Sequence, residues 1–194
     1  MIEITKSSIL TAINQYDWQL SCACNTLAAT TLIPLILSGL ICRERKEWAY
    51  SEATNVLWHQ GTIYEATGHT IPFLTQMLLL PINDEDELCD ISNLIAIFTL
   101  SGRCAAEGNQ SCGLQVYGEQ VINFLKIVSG ICISFLHYQN NLLTRQNILV
   151  ALMQIPKFEE NALEIAYESR ELKQLAKKLC NSTYKEAWDI FESL

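Results

Sequence analysis

The sequence predicts an all-α protein in which about eight or nine helices pack as antiparallel pairs within one domain, residues 1-194. Glycine and proline are scarce, at 8 and 4 residues, whereas an all-β chain of this length needs more turn residues. Apolar residues make up 49% of the chain and charged residues 18%, which is enough to bury a sizeable core. Apolar side chains also recur at the three-to-four-residue spacing of a helix face. Together these observations favour a helical fold.

The individual helices are placed by capping residues, helix breakers and apolar spacing. Ser7 or Ser8 is suited to cap a first helix, and a second is expected to begin near Asp17. Pro34 is expected to break or kink the uncharged stretch that follows. The further expected helices are 32–41, 48–59, 62–80, 83–102, 114–138, 142–155, 159–170, 172–179 and a last one opened by a capping box at 183–186.

The clearest corner between two helices lies at Gly61. This glycine suits the left-handed position just past a helix that ends at His59. Thr62 and Glu65 have the Thr-x-x-Glu spacing of a capping box, which opens the next helix. A stop signal and a start signal so close together predict an αα-hairpin.

A weak internal echo suggests repeated helix pairs. The segment Ile33-Pro34-Leu35-Ile36 aligns with Ile71-Pro72-Phe73-Leu74, a shift of 72 − 34 = 38 residues. A third, weaker copy is Ile122-Asn123-Phe124-Leu125, in which asparagine replaces the proline. A period near 40 residues with two helices per unit is typical of HEAT repeats, so the finer expectation is a HEAT-like α-solenoid.

The segment 58–80 also resembles bacterial HEAT-repeat domain proteins. It reads Trp-His-Gln-Gly-Thr-Ile-Tyr-Glu-Ala-Thr and continues into Pro72-Phe73-Leu74 and a leucine-rich end. The resemblance covers 80 − 58 + 1 = 23 of 194 residues and implies an α-solenoid that binds other macromolecules. Some small proteins of this kind are similar to immunity proteins encoded beside secreted toxins. The resemblance therefore implies a binding protein, with a toxin domain as one possible partner.

The net charge of the chain limits the classes of partner that it is expected to bind. The formal net charge is −8, which disfavours a nucleic-acid binder because such proteins need a basic surface to displace counterions from phosphate. An acidic surface steers a basic protein partner, although it also serves plain solubility. The acidic cluster Asp84, Glu85, Asp86, Glu87 and Asp90 is the best candidate for partner binding. Its alternative reading is a solvated first turn that stabilises the positive end of a helix dipole.

His59, Gln60 and Tyr64 are further candidates for partner binding because the predicted corner presents them near its tip. The simpler reading is that His59 and Gln60 satisfy backbone groups at the helix ends.

The eight cysteines predict neither a metal site nor a disulfide framework. No C-x-x-C pair is present, and most of the cysteines lie within apolar helical segments. The N-terminus lacks the features of a signal peptide, so a reducing cytoplasm and free thiols are expected. Cys104 and Cys112 flank the predicted loop 103–113 and are placed to pair if oxidised. No cofactor is expected.

The sequence therefore predicts a cytoplasmic, non-catalytic protein-binding module, most specifically an immunity protein that neutralises a cognate bacterial toxin. The alternative is a general scaffold or adaptor, and a third reading is an enzyme with a Cys/His site. No phosphate-binding loop, nucleophile elbow or H-E-x-x-H motif supports the third reading. The uncharged stretch 20–42 is long enough for a membrane span, but Pro34 divides it, so no membrane is expected.

Overall fold

The computed structural model describes residues 4–20, 22, 26–81, 85–158, 169–180 and 182–194. These residues form nine α-helices, one two-stranded β-hairpin and one short 3-10 helix. The helices are α1 Lys6–Gln15, α2 Thr26–Leu40, α3 Lys46–Val56, α4 Glu65–Met77, α5 Glu85–Ala106, α6 Gln115–Tyr138, α7 Leu142–Leu152, α8 Arg170–Leu179 and α9 Tyr184–Glu192. The all-α class is confirmed. The helix expected over 159–170 lies almost entirely outside the described residues.

Helices α2 to α7 lie in two layers. Contacts join α2 to α4 and α4 to α6 in one layer, and α3 to α5 and α5 to α7 in the other. Helices α5 and α7 run in the same direction. Asn147 Nδ2 donates to Ser92 Oγ at 3.1 Å, and further along α5 Arg103 donates at 3.2 Å to Oε1 of Gln154, two residues past the end of α7.

Helix α5 forms the centre of the hydrophobic core. It contacts α3, α4, α6, α7 and α9, and Phe98 is one of its fully buried side chains. Helix α6 approaches it closely through glycine. A Cβ added to Gly118 would lie 2.4 Å from the carbonyl oxygen of Gly102, so only glycine fits this crossing.

The predicted corner contains a β-hairpin in place of a direct helix-to-helix turn. Strand β1, Trp58–His59, pairs antiparallel with strand β2, Thr62–Ile63. The two loop residues, Gln60 and Gly61, have φ of 52° and 87°, the sign that a type I′ hairpin turn requires at both positions. Positive φ at Gly61 is therefore confirmed, but it serves a strand turn instead of a helix end.

The capping box predicted for Thr62 and Glu65 is wrong, because Thr62 lies in a strand. Tyr64 is the N-cap of α4, and its backbone N–H donates to Thr67 Oγ1 at 3.0 Å. The hydroxyl of Thr62 instead donates to the carbonyl of Ser111 at 2.9 Å, in the 3-10 helix Gln110–Cys112. The sequence shows the spacing of a cap but not which long-range acceptor competes for the same hydroxyl.

Two boundaries in the N-terminal part also differ from the prediction. Helix α2 runs from Thr26 to Leu40 without a break at Pro34, since a buried helix tolerates a proline at the loss of one hydrogen bond. No helix begins at Asp17. Its carboxylate accepts from the backbone N–H of Gln19 at 3.1 Å, a local turn that competes with helix formation.

The internal echo falls on equivalent elements. Pro34 lies within α2, Pro72 within α4 and Asn123 within α6. All three helices belong to the same layer.

Candidate protein-binding surface

The N-terminus of α5 carries the described part of the acidic cluster. Glu85 and Asp86 are exposed, Asp90 is half-buried and Glu87 is only 8% exposed. Asp84 lies outside the described residues. Glu87 turns inward because it stands one residue before Leu88, on the edge of the core-facing stripe. Glu85 and Asp86 are thus the exposed carboxylates of this turn.

Three exposed apolar side chains lie at the corner between α6 and α7. Tyr138 is 85% exposed, Leu142 40% and Leu143 39%. Asn141, which caps α7, donates from Nδ2 to Glu85 Oε2 at 3.3 Å. This contact places the apolar corner beside the acidic turn. We call Glu85, Asp86, Tyr138, Leu142 and Leu143 the acidic–apolar surface.

Sequence reasoning missed the apolar half of this surface. The sequence pattern predicts that Tyr138 ends one apolar helix and that Leu142 and Leu143 begin the next. No local signal was available, because adjacent apolar residues such as Ile148 and Leu149 in the same helix are both fully buried.

The acidic–apolar surface has the composition of a protein interface. Tyrosine is enriched among the residues that dominate binding energy, and an exposed tyrosine loses little conformational freedom when it is covered. Carboxylates at the rim of an apolar patch steer a partner of opposite charge. The arrangement is therefore suited to a partner with an apolar contact flanked by lysine or arginine.

The hairpin candidates lie elsewhere. His59 and Gln60 are exposed at the hairpin tip, and Tyr64 is half-buried. Trp58, in the same strand as His59, donates from Nε1 to Ser101 Oγ at 2.7 Å. Ser101 follows Glu85 by 101 − 85 = 16 residues, about 24 Å along a helix. The two predicted sets of site residues are thus near opposite ends of α5.

The hairpin has a structural explanation in its contacts with the C-terminal part of the chain. The Trp58 ring lies 6.0 Å from that of Trp188 in α9. Asn109, at the start of the 3-10 helix, donates to the Tyr184 hydroxyl at 3.1 Å. Hairpin, 3-10 helix and α9 thereby form one joined corner around the C-terminal end of α5.

The expectation of no structural disulfide is contradicted at one pair, Cys104 and Cys112, which the sequence placed to bond if oxidised. Cys104 in α5 and Cys112 in the 3-10 helix form a disulfide. The geometry that makes this possible is the short connection between the two helices, which brings their Cα atoms to 5.9 Å. The other described cysteines lie outside any disulfide: Cys22, Cys42, Cys89, Cys132 and Cys180.

The described residues give little support for a nucleophilic thiol at Cys89 or Cys132, or for a metal site. Burial raises the pKa of the Cys132 thiol to about 12. Burial, assisted by the nearby charges of Asp90 and Asp86, also raises the pKa of Cys89. Neither thiol ionises readily at neutral pH, as a nucleophile must. Within the described ranges, no group of three or more histidine, cysteine, aspartate or glutamate side chains is placed to hold a metal ion.

The histidines are spread over separate elements: His59 lies in β1, His69 in α4 and His137 in the last turn of α6. The hydroxyl of Tyr16 bonds to Nδ1 of His69. Burial lowers the pKa of His69, although the charge of Glu65 opposes the shift. Burial therefore favours the neutral form of this imidazole, which shares a hydrogen bond with the Tyr16 hydroxyl.

A cavity of about 620 Å³ opens between the C-terminal end of α5, the N-terminal part of α6 and the segment that follows α7. Arg103 is its central cation. It donates to Glu107 at 2.8 Å, to Gln154 at 3.2 Å and to the carbonyl of Ser182 at 2.7 Å. These bonds join α5 to the segment after α7 and to the segment before α9. Arg103 thus has a structural role.

Two helices in the described part of the chain are long and apolar enough to cross a membrane by length and composition: α5 and α6. The most apolar 18-residue window is 78% buried in α5 but only 39% buried in α6. Helix α5 reads as the core helix of a globular fold. Helix α6 leaves apolar side chains uncovered, among them Ile127 at 76% exposure.

Comparisons with protein-family models, with curated proteins and with solved structures found no match to this chain. The resemblance to HEAT-repeat domain proteins therefore stays a prediction, and function has to be argued from the surface chemistry.

Proposed function

We propose that this protein is a non-catalytic, cytoplasmic protein-binding module whose acidic–apolar surface binds a basic protein. The observation that carries the proposal is the Asn141–Glu85 contact at 3.3 Å, which joins an acidic turn to an exposed tyrosine and two exposed leucines. The most specific form of the proposal is an immunity protein that neutralises a cognate toxin domain. Nucleic acid, membrane and cofactor have no part in it.

The proposal includes a HEAT-like arrangement of helix pairs. Two layers of alternating helices support it, as does the placement of the echoed segments on α2, α4 and α6. Such arrays bind partners through an extended surface formed by successive units. The return of α9 onto α5 departs from a simple stack, in which each unit contacts only its neighbours.

Electrostatics supports a basic partner. The whole chain has a formal net charge of −8, so the acidic turn adds to a field of the same sign. Such a field accelerates association with a positively charged protein, and salt screens it beyond a Debye length of about 8 Å at physiological ionic strength.

The test begins with the partner, obtained from the neighbouring gene or by pull-down from the native cell. Association and dissociation rates are then measured by surface plasmon resonance at low and high salt. The variant Glu85→Gln/Asp86→Asn keeps side-chain size and an acceptor for Asn141. We expect its association rate at low salt to fall by about threefold or more, with a shallower salt dependence. Its matched control, Asp189→Asn/Glu192→Gln, removes two exposed charges on α9, a helix that contacts the C-terminal half of α5.

The apolar half is tested separately with Tyr138→Ala. Truncating an anchor tyrosine is expected to raise the dissociation rate about tenfold or more. Ile127→Ala is its control, since Ile127 is similarly exposed but lies in the middle of α6. Both residues are largely in solvent, so melting temperatures should stay unchanged. A partner that binds all four variants like the wild type would show that this surface is not the interface.

A further inference from the structure

We propose that Cys104 and Cys112 form a thiol–disulfide switch that fastens the hairpin and α9 to the end of α5, and that Cys112 is the residue attacked by a small cellular thiol. This proposal is independent of the partner-binding surface, which lies at the other end of α5.

The sulfurs of Cys104 and Cys112 differ in their exposure to solvent. Cys104 lies in α5 and is fully buried, whereas Cys112 is half-buried in the short 3-10 helix. Thiol–disulfide exchange requires an attacking sulfur to reach one sulfur of the pair in line with the bond. Attack therefore falls on Cys112, and Cys104 leaves.

The 3-10 helix joins three elements. The disulfide ties it to α5 across a separation of 8 residues. The Ser111 carbonyl accepts from Thr62 in the hairpin, and Asn109 donates to Tyr184 in α9. Gly113, just after the 3-10 helix, packs so closely on the hairpin that an added Cβ would lie 2.7 Å from the Ile63 carbonyl oxygen. Reducing the disulfide removes the covalent link between the 3-10 helix and α5. The two hydrogen bonds and the Gly113–Ile63 packing then hold these elements together less firmly.

The chemistry balances with a monothiol of the glutathione class as reductant. The thiolate of the first molecule attacks Sγ of Cys112, the S–S bond breaks, and Cys104 takes up a proton as a thiol. A second monothiol, as its thiolate, attacks the sulfur of the first monothiol in the mixed disulfide. The bond to Cys112 breaks, Cys112 takes up a proton as a thiol, and the oxidised thiol dimer is released. Two electrons pass to the cysteine pair, and oxidised thiol dimer drives the same steps backwards. In a reducing cytoplasm the Cys104–Cys112 disulfide is reduced, and the hairpin and α9 are held less firmly to the end of α5. Oxidation restores the cross-link.

The experiment uses the full chain equilibrated in reduced or oxidised glutathione. Alkylation followed by peptide mass spectrometry reports the state of Cys104 and Cys112. Amide hydrogen exchange is followed in segments 58–63, 107–114 and 184–192, with α7 as the internal control. On reduction we expect exchange in these segments to become roughly ten- to a hundredfold faster, the effect of losing a cross-link that closes a short loop. Exchange in α7 should not change.

Variants test the assignment to Cys112. In Cys104→Ala, oxidised glutathione should leave a stable adduct on Cys112, whereas in Cys112→Ala the buried Cys104 should stay unmodified. Cys42→Ala, a half-buried cysteine outside the pair, should behave like the wild type in both buffers. If a cysteine variant does not fold, amide hydrogen exchange of the wild type in oxidised and in reduced glutathione still tests the switch. Equal exchange in the two buffers, with the pair shown to be open in one, overturns the proposal, and so does a pair that never closes in oxidised glutathione.

Discussion

At the scale of single residues, glycine sets the distance between α5 and α6. Gly118 in α6 and Gly102 in α5 face each other where these helices cross, and a Cβ on Gly118 would lie 2.4 Å from the backbone of both Ala106 and Gly102. Gly130, in the same helix, has no neighbour within 4 Å of the equivalent position. The two glycines therefore have opposite roles in one helix.

We predict opposite effects of the same substitution at these two sites. Gly118→Ala should destabilise the fold by about 1–3 kcal/mol or more, because backbone cannot move aside as a side chain can. Gly130→Ala should stabilise it by about 0.5–1 kcal/mol, since alanine loses less entropy than glycine in a helix. Urea unfolding followed by circular dichroism measures both. Equal midpoints for the two variants would show that the α5–α6 crossing is misplaced.

At the scale of elements, the same sequence pattern has two outcomes. Thr183 caps α9, and Glu186 completes the capping box that the sequence predicts. Thr62 and Glu65 have the same spacing but form no such box. The difference is that Thr62 lies in a strand, with the Ser111 carbonyl as its acceptor.

Thr183→Ala should lower the free energy of unfolding by about 1 kcal/mol at pH 7. Hydrogen bonds from the Thr183 backbone N–H and from its hydroxyl lower the pKa of Glu186. Because the pKa of Glu186 is lower in the folded state than in the unfolded state, its ionised carboxylate stabilises the fold at pH values above the unfolded-state pKa. That stability is lost as the pH falls through the folded-state pKa. Denaturant unfolding between pH 7 and pH 3 should therefore show that Thr183→Ala loses less stability in acid than the wild type. A variant with the wild-type midpoint at every pH would contradict the cap.

At the scale of the whole molecule, α5 connects distant parts of the chain. It contacts α3, α4, α6, α7 and α9, and the tryptophans report on different regions. Trp18 packs on Phe73 of α4 with ring centroids 5.4 Å apart, while Trp58 and Trp188 lie together at the C-terminal end of α5. In an open array with contacts only between neighbouring units, such regions unfold separately.

We predict a single cooperative unfolding transition. Because α5 contacts α3 and α4, which precede it in the chain, and α6, α7 and α9, which follow it, the helices on either side of α5 should not unfold separately. Far-ultraviolet circular dichroism and tryptophan fluorescence should give the same midpoint and slope in urea. The folded spectrum should be dominated by helix. Two separated transitions would mean that the chain behaves as independent units.

Local sequence patterns predict the helical class, most helix positions from α3 onward, the cap at Thr183 and the positive φ at Gly61. These features depend on neighbours within a few residues, which composition and spacing record directly. The acidic turn at Glu85 and Asp86 was visible for the same reason.

Only the tertiary structure decided the features that join distant residues. It placed Tyr138, Leu142 and Leu143 beside Glu85, turned Glu87 inward and put His59 near the opposite end of α5. It also paired Cys104 with Cys112 and gave Thr62 a distant acceptor. Each hydroxyl, thiol or apolar side chain has several chemically equivalent partners elsewhere in the chain. The packing of α5 against its neighbours selects among them, and no local pattern encodes that choice.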